Sequence, residues 1–138
     1  MASGISARAI GAITNQRLLA PTSIRAAVPV VFEFTCVAAT STYSLENPGP
    51  KNFKVTRAYG IMTGAGAAAD TVLVQRIRAG TTTSITNTAD LSVMSDTDQF
   101  DFGQINDANQ QINQGDTLRV TTASGSLCTV YVEGFWVE

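Results

Sequence analysis

The sequence contains no histidine. That excludes the Ser-His-Asp and Cys-His arrangements, the two-histidine zinc helix and histidine proton relays, because each needs an imidazole that titrates near neutrality or binds metal. Only two cysteines occur, and they do not form a C-x-x-C pair. They are too few for a disulfide-stapled scaffold or a four-ligand metal centre. Charged residues make up 14% of the chain and the net charge is -2, so no overall positive field gathers phosphates or anionic lipid. No apolar run approaches the ~18 residues needed to cross a bilayer. A soluble protein without a nucleic-acid or membrane partner is expected.

What is present suits one folded domain. A chain of 138 residues with 44% hydrophobic content can bury a real core and is too apolar for intrinsic disorder. Charge divides it near residue 32: the first 32 residues hold Arg8, Arg17 and Arg25 and no acid, whereas the remainder holds all 11 acidic residues. Residues 1–28 are rich in Ala, Ser and Thr, and their helical spacing is broken by Gly4 and Gly11 and stopped at Pro21. The composition also fits an organellar transit peptide, but the expectation adopted is an extended N-terminal arm held by a partner, reaching roughly 90 Å if fully extended. Residues 29–138 form the body.

In the body the hydrophobic period becomes two, the mark of strands buried on one face. Val30, Phe32, Phe34 and Cys36 share one parity. Residues 44–50 are dense in turn formers, with prolines at 48 and 50. Phe53, Val55, Tyr59 and Ile61 are then expected on a common inner face, followed by a hairpin loop at 63–69 and a strand at 71–78 whose apolar residues lie on both faces. Short edge strands are expected between 80 and 98. Phe100 and Phe102 share a face, and Leu118 and Val120 point inward before a Gly-containing turn at 123–126 and a closing strand to residue 137. The last two strands give the strongest hairpin signal. In the closing strand the apolar phase slips, and a bulge at Gly134 would bring Phe135 and Val137 inward while leaving Tyr131 and Trp136 outward. Outward aromatics of that size call for a covering partner. Seven or eight short strands without a convincing helix indicate an all-β antiparallel sandwich of jelly-roll type.

No candidate chemistry stands out. Asp96, Asp98 and Asp101 offer hard oxygen ligands but lack the loop of an EF-hand, and they read more simply as solvated turn residues. Paired carboxylates for glycoside hydrolysis are allowed but not indicated. Cys36 and Cys128 fall on inward parities and read as free buried thiols. The stretch Thr63-Gly64-Ala65-Gly66 lacks the Lys and helix start of a phosphate loop. Threonines at 81–83 could bind sugar hydroxyls but more commonly form a polar edge. No catalytic residue, metal site or cofactor is expected.

The acid-free arm, the jelly-roll body, the Gly/Ala/Thr-rich middle and the ending INQGDTLRVTTASGSLCTVYVEGFWV resemble the decoration, or cement, proteins of tailed-bacteriophage capsids. The resemblance implies a structural virion protein made in the host cytoplasm, a homotrimer seated on the outer capsid surface that stabilises the shell against internal DNA pressure. Its partner would be the major capsid protein. Arg8, Ile13, Arg17, Leu18, Leu19, Ile24 and Arg25 would supply the capsid-binding arm, and Tyr131 and Trp136 the protomer interface. The alternative is a head- or tail-fibre module that binds a receptor or carbohydrate through hydroxyl-rich loops at 81–88.

Overall fold

The structure, a computed structural model, describes residues 5–8, 29–123 and 125–137. They form an all-β, antiparallel sandwich of eleven strands: β1 (Ile5–Arg8), β2 (Pro29–Cys36), β3 (Thr42–Glu46), β4 (Asn52–Met62), β5 (Thr71–Arg78), β6 (Thr81–Ser84), β7 (Ala89–Asp90), β8 (Gln99–Asp101), β9 (Gln111–Ile112), β10 (Thr117–Thr122) and β11 (Cys128–Val137). One sheet has the order β1-β2-β11-β4-β8 with β9 also on β4, and the other has β3-β10-β5-β6 with β7 also on β5. Eight strands thus make two facing four-stranded sheets in jelly-roll order, and β1, β7 and β9 are short additions. Among the described residues there is no helix.

Alternation drives the closure. On β2, Val30, Phe32, Phe34 and Cys36 point into the core, and on β10 Leu118, Val120 and Thr122 do the same. From β5, whose inner face periodicity leaves open, Val72, Val74 and Arg76 are the buried set. Gly60 of β4 lies under Phe100 of β8: a Cβ there would stand 2.3 Å from the ring's Cζ atom, so the glycine makes room for the aromatic. At the sheet seam Cys128 lies opposite Cys36 in register.

Four expectations are overturned. Residues 123–126 do not close a hairpin, because β10 and β11 belong to different sheets, and residues 63–69 likewise carry the chain from β4 in one sheet to β5 in the other. Turn residues report that the chain reverses, and a corner between sheets needs the same backbone freedom as a hairpin. β3 occupies the start of the stretch 44–50 read as a turn; its Tyr43 and Leu45 pack against the core, and among the described residues it pairs only with β10.

The bulge, too, lies elsewhere than expected. β11 runs in unbroken register along β2 from Cys128 to Phe135. The irregularity lies on the partner: Glu133 opposes Arg57 and Gly134 opposes Val55, so Thr56 of β4 is the extra residue. Parity on β4 therefore changes at Thr56. Phe53 and Val55 are inward, then Ala58, Gly60 and Met62, while Tyr59 and Ile61 turn outward. On β11 the same regularity keeps Trp136 inward, its ring 5.3 Å from Phe53 and 6.2 Å from Phe32 in edge-on contacts, and places Phe135 and Val137 on the outer side. The inward aromatic trio supplies contact beyond its buried area.

Candidate functional site

The outer face of the six-stranded sheet carries the densest group of unusual side chains. Its origin is the bulge on β4, since an extra residue in one strand re-aims the side chains that follow it. Arg57 and Tyr59 consequently stand on the same face, and the guanidinium carbon lies 4.2 Å from the Tyr59 ring centroid. Tyr59 stacks in turn on Tyr131 of β11, with centroids 5.3 Å apart and planes inclined by 22°. Tyr59 thus has two neighbours against its ring, Tyr131 and the cation of Arg57. Arg57 makes no hydrogen bond or ion pair among the described residues.

Two open hollows meet at Arg57. One, of about 410 Å³, runs beside Tyr59 and Tyr131 to Gln99 and Asp101 of β8. The other, of about 730 Å³, lies between Lys54 and Thr56 of β4, Phe135 and the loop that holds Gln104 and Asp107. Gln110 seals the backbone left open beside the bulge: its carbonyl accepts from the Val55 amide at 2.9 Å, and its side-chain amide donates to the Val55 carbonyl at 2.9 Å. The Val55 backbone beside the bulge is thus satisfied on both its amide and its carbonyl.

A different opening lies at the end of the sandwich where β2 begins and β11 ends. Here the two sheets part around an apolar cavity of about 510 Å³, floored by Phe32, Phe53, Ile112 and Leu118 and bordered by Leu45 and Trp136. Asn47 holds its rim, donating to the carbonyls of Lys51 at 3.0 Å and Ile112 at 2.9 Å while accepting from the Gly49 amide. Arg8 opposes Val31 in the register of β1 and β2, so both attachment points of residues 9–28, at Arg8 and Pro29, lie at this same end.

Arg76 and Asp116 are buried and Arg78 is half-exposed, and the three form a structural group. Arg78 grips Asp116 with Nε at 3.1 and 3.0 Å and Nη2 at 2.7 Å, and both Arg76 and Arg78 donate to the carbonyl of Gln111. Burial lowers the Arg76 pKa, and the like charge of Arg78 lowers it further. The two arginines and the one carboxylate pin the loop before β10 across the sandwich.

Cys36 and Cys128 are free and buried. The hydrogen bond to Cys128, then burial, pushes the Cys36 thiol far above its ordinary range. A buried, protonated thiol is a poor nucleophile. Neither cysteine is expected to react with Ellman's reagent in the folded protein, and both should react in denaturant; rapid labelling of the native protein would contradict the closed seam.

The acids singled out in sequence serve local turns. Asp98 accepts from the Ser95 amide at 2.8 Å and Asp101 from the Gly103 amide at 2.8 Å. Among the described residues no group of three or more His, Cys, Asp or Glu could hold a metal ion. The apolar cavity holds one carboxylate, Glu46, and the two Arg57 hollows hold Asp101 and Asp107 respectively. Of the threonine-rich stretch, Thr86 is buried and its hydroxyl accepts from the Val74 amide at 3.1 Å. Tyr131 is outward as expected, and Trp136 is not. Ile13, Arg17, Leu18, Leu19, Ile24 and Arg25 lie outside the described residues, whereas Arg8 ends β1 on the edge of its own chain's sheet. Arg57 went unnoticed in the sequence because its significance depends on the bulge. The sequence matches no protein-family model and no curated protein.

Proposed function

We propose that this protein is a non-catalytic structural component of a phage particle, a decoration protein that fastens to the outside of the head as a trimer and stabilises the shell against internal pressure. One observation carries the reading: the acid-free stretch between Arg8 and Pro29 is attached at the end of the sandwich where the Trp136 cavity opens. A fastening segment and an apolar socket at one end of a rigid block give that end two means of holding a neighbour. Arginines on the segment suit carboxylates on the major capsid protein, and the socket suits an apolar side chain. Three linked segments would bind with an avidity raised by ~10² or more over one.

The test is co-sedimentation with heads assembled from the cognate major capsid protein, alongside light scattering to obtain the oligomeric mass. The full chain is expected to be trimeric and to pellet with heads. A variant lacking residues 1–27 should keep its β-sheet circular dichroism and stay in the supernatant. Undiminished binding by that variant, or a monomeric full chain, would refute the proposal.

A further inference from the structure

We infer that the groove centred on Arg57 is a binding site for a neutral oligosaccharide chain. This inference does not depend on the decoration reading and uses the opposite resource of the molecule, its outer sheet face instead of its open end.

The chemistry of the lining selects the ligand. Arg57, Lys54 and Gln104 present donors that make no side-chain hydrogen bond among the described residues, and Asp107 presents an acceptor in the same condition. Asp101 uses one oxygen on the Gly103 amide and keeps the other. An anionic ligand would meet donors but also Asp101 and Asp107, and a cationic one would meet Lys54 and Arg57. A hydroxyl group both donates and accepts, so a polyhydroxylated neutral molecule satisfies this mixture at every point without facing a like charge.

Apolar surface alternates with those polar groups. Tyr59 and Tyr131 border one hollow and Phe135 the other, matching a ligand whose C–H faces alternate with hydroxyls. Aromatics of this kind give contact area at low entropic cost because few torsions are frozen. The contact with the Tyr59 ring favours one placement of the Arg57 guanidinium before a ligand arrives, which removes part of the ordering cost of binding. Because the two hollows share Arg57, the site runs along β4 from Lys54 to Ile61, roughly 23 Å at the rise of a strand. That length fits a chain of linked sugars better than a single ring. The receptor-binding alternative read from the threonines at 81–88 is thereby moved to a different face of the molecule.

The experiment applies the full chain to an array of neutral oligosaccharides built from glucose, galactose, mannose, xylose and N-acetylglucosamine, with sulfated and sialylated glycans and acidic peptides on the same slide. Positives are then titrated by calorimetry. Binding to a neutral oligosaccharide is expected, weakened about tenfold or more by Arg57→Ala, as for loss of hydrogen bonds to a charged group. Arg57→Lys should weaken it as well, since lysine lacks the planar fork. Gln104→Ala, at an exposed loop position, gives a second reading that cannot disturb the stack, and unchanged circular dichroism verifies folding. Absence of neutral-glycan binding would overturn the inference, as would binding confined to acidic ligands. So would neutral binding that survives Arg57→Ala and Gln104→Ala but is lost on Thr82→Ala. Each of these results leaves the head-binding test unaffected.

Discussion

Replacing Gly134 with alanine is expected to remove a large part of the protein's stability. A Cβ at this position would stand 2.0 Å from the carbonyl oxygen of Lys54 and 2.8 Å from Cζ of Phe53. The first of these neighbours is backbone, so no rotamer change can relieve the contact. It belongs to β4, the strand paired with β11, β8 and β9. Accommodating one methyl group means prising β4 from β11 at the bulge, against the pairing that joins the two longest strands. The cost should exceed about 4 kcal/mol, the range reserved for overpacking or strain with no route of relief, out of a total of about 5–15 kcal/mol for a domain. Urea denaturation followed by tryptophan fluorescence would measure it, since Trp136 packs beside the affected site. A loss below about 1 kcal/mol would show that β4 is free to shift. At intermediate stability, the altered bulge should also release Arg57 from Tyr59.

Asp116→Ala is expected to cost about 2 kcal/mol, the scale for losing hydrogen bonds to a charged group, and less than for a fully buried pair because the Arg78 side chain is 40% exposed and water can replace its partner. Asp116 is 4% exposed, and its loss leaves Arg78 without its two-pronged partner and Arg76 beside a like charge without the carboxylate that offsets it. The Asn113 amide, which donates to Asp116 at 2.8 Å, would lose its acceptor too. A pH dependence separates this pair from simple packing. Burial works to raise the Asp116 pKa, but the Arg78 hydrogen bonds, the Asn113 amide and the positive charges of Arg78 and Arg76 together hold it below its ordinary value. The unfolded chain therefore takes up a proton before the folded one does, so stability rises with pH in that window. The contribution is fully present above the ordinary carboxylate value of about 3.9 and is lost as pH falls through the lower folded value. The stability difference between the native protein and Asp116→Asn should accordingly be constant near neutrality and shrink below about pH 4. A difference that stays the same down to pH 2 would mean the pair is not an ionic one.

These two sites show where local pattern stops being informative. Gly134 did signal an irregularity, since the apolar phase of β11 slips beside it. The slip lies on the other strand, however, and a register jump between two strands leaves the same trace in either sequence. Placing it on β11 sent Trp136 outward and kept Tyr59 inward. Pairing reverses both, because β11 is regular against β2 and only β4 carries an extra residue. In the sequence Asp116 stands only in the stretch Gln114-Gly115-Asp116, whose residue types suit a turn. Its role depends on Arg76 and Arg78, which a strand with apolar residues on both faces gives no reason to place indoors.

Period-two alternation, turn residues at short intervals and the absence of histidine were sufficient to determine an all-β sandwich with an inward row on β2 and β10 and without imidazole chemistry. Those properties follow from each strand's own burial preference, which adjacent residues express directly. Which turns are corners between sheets, which strand holds the bulge and which aromatics meet across it were decided by the tertiary structure alone. They depend on register between segments distant in the chain, and register is settled by the packing of both sheets at once.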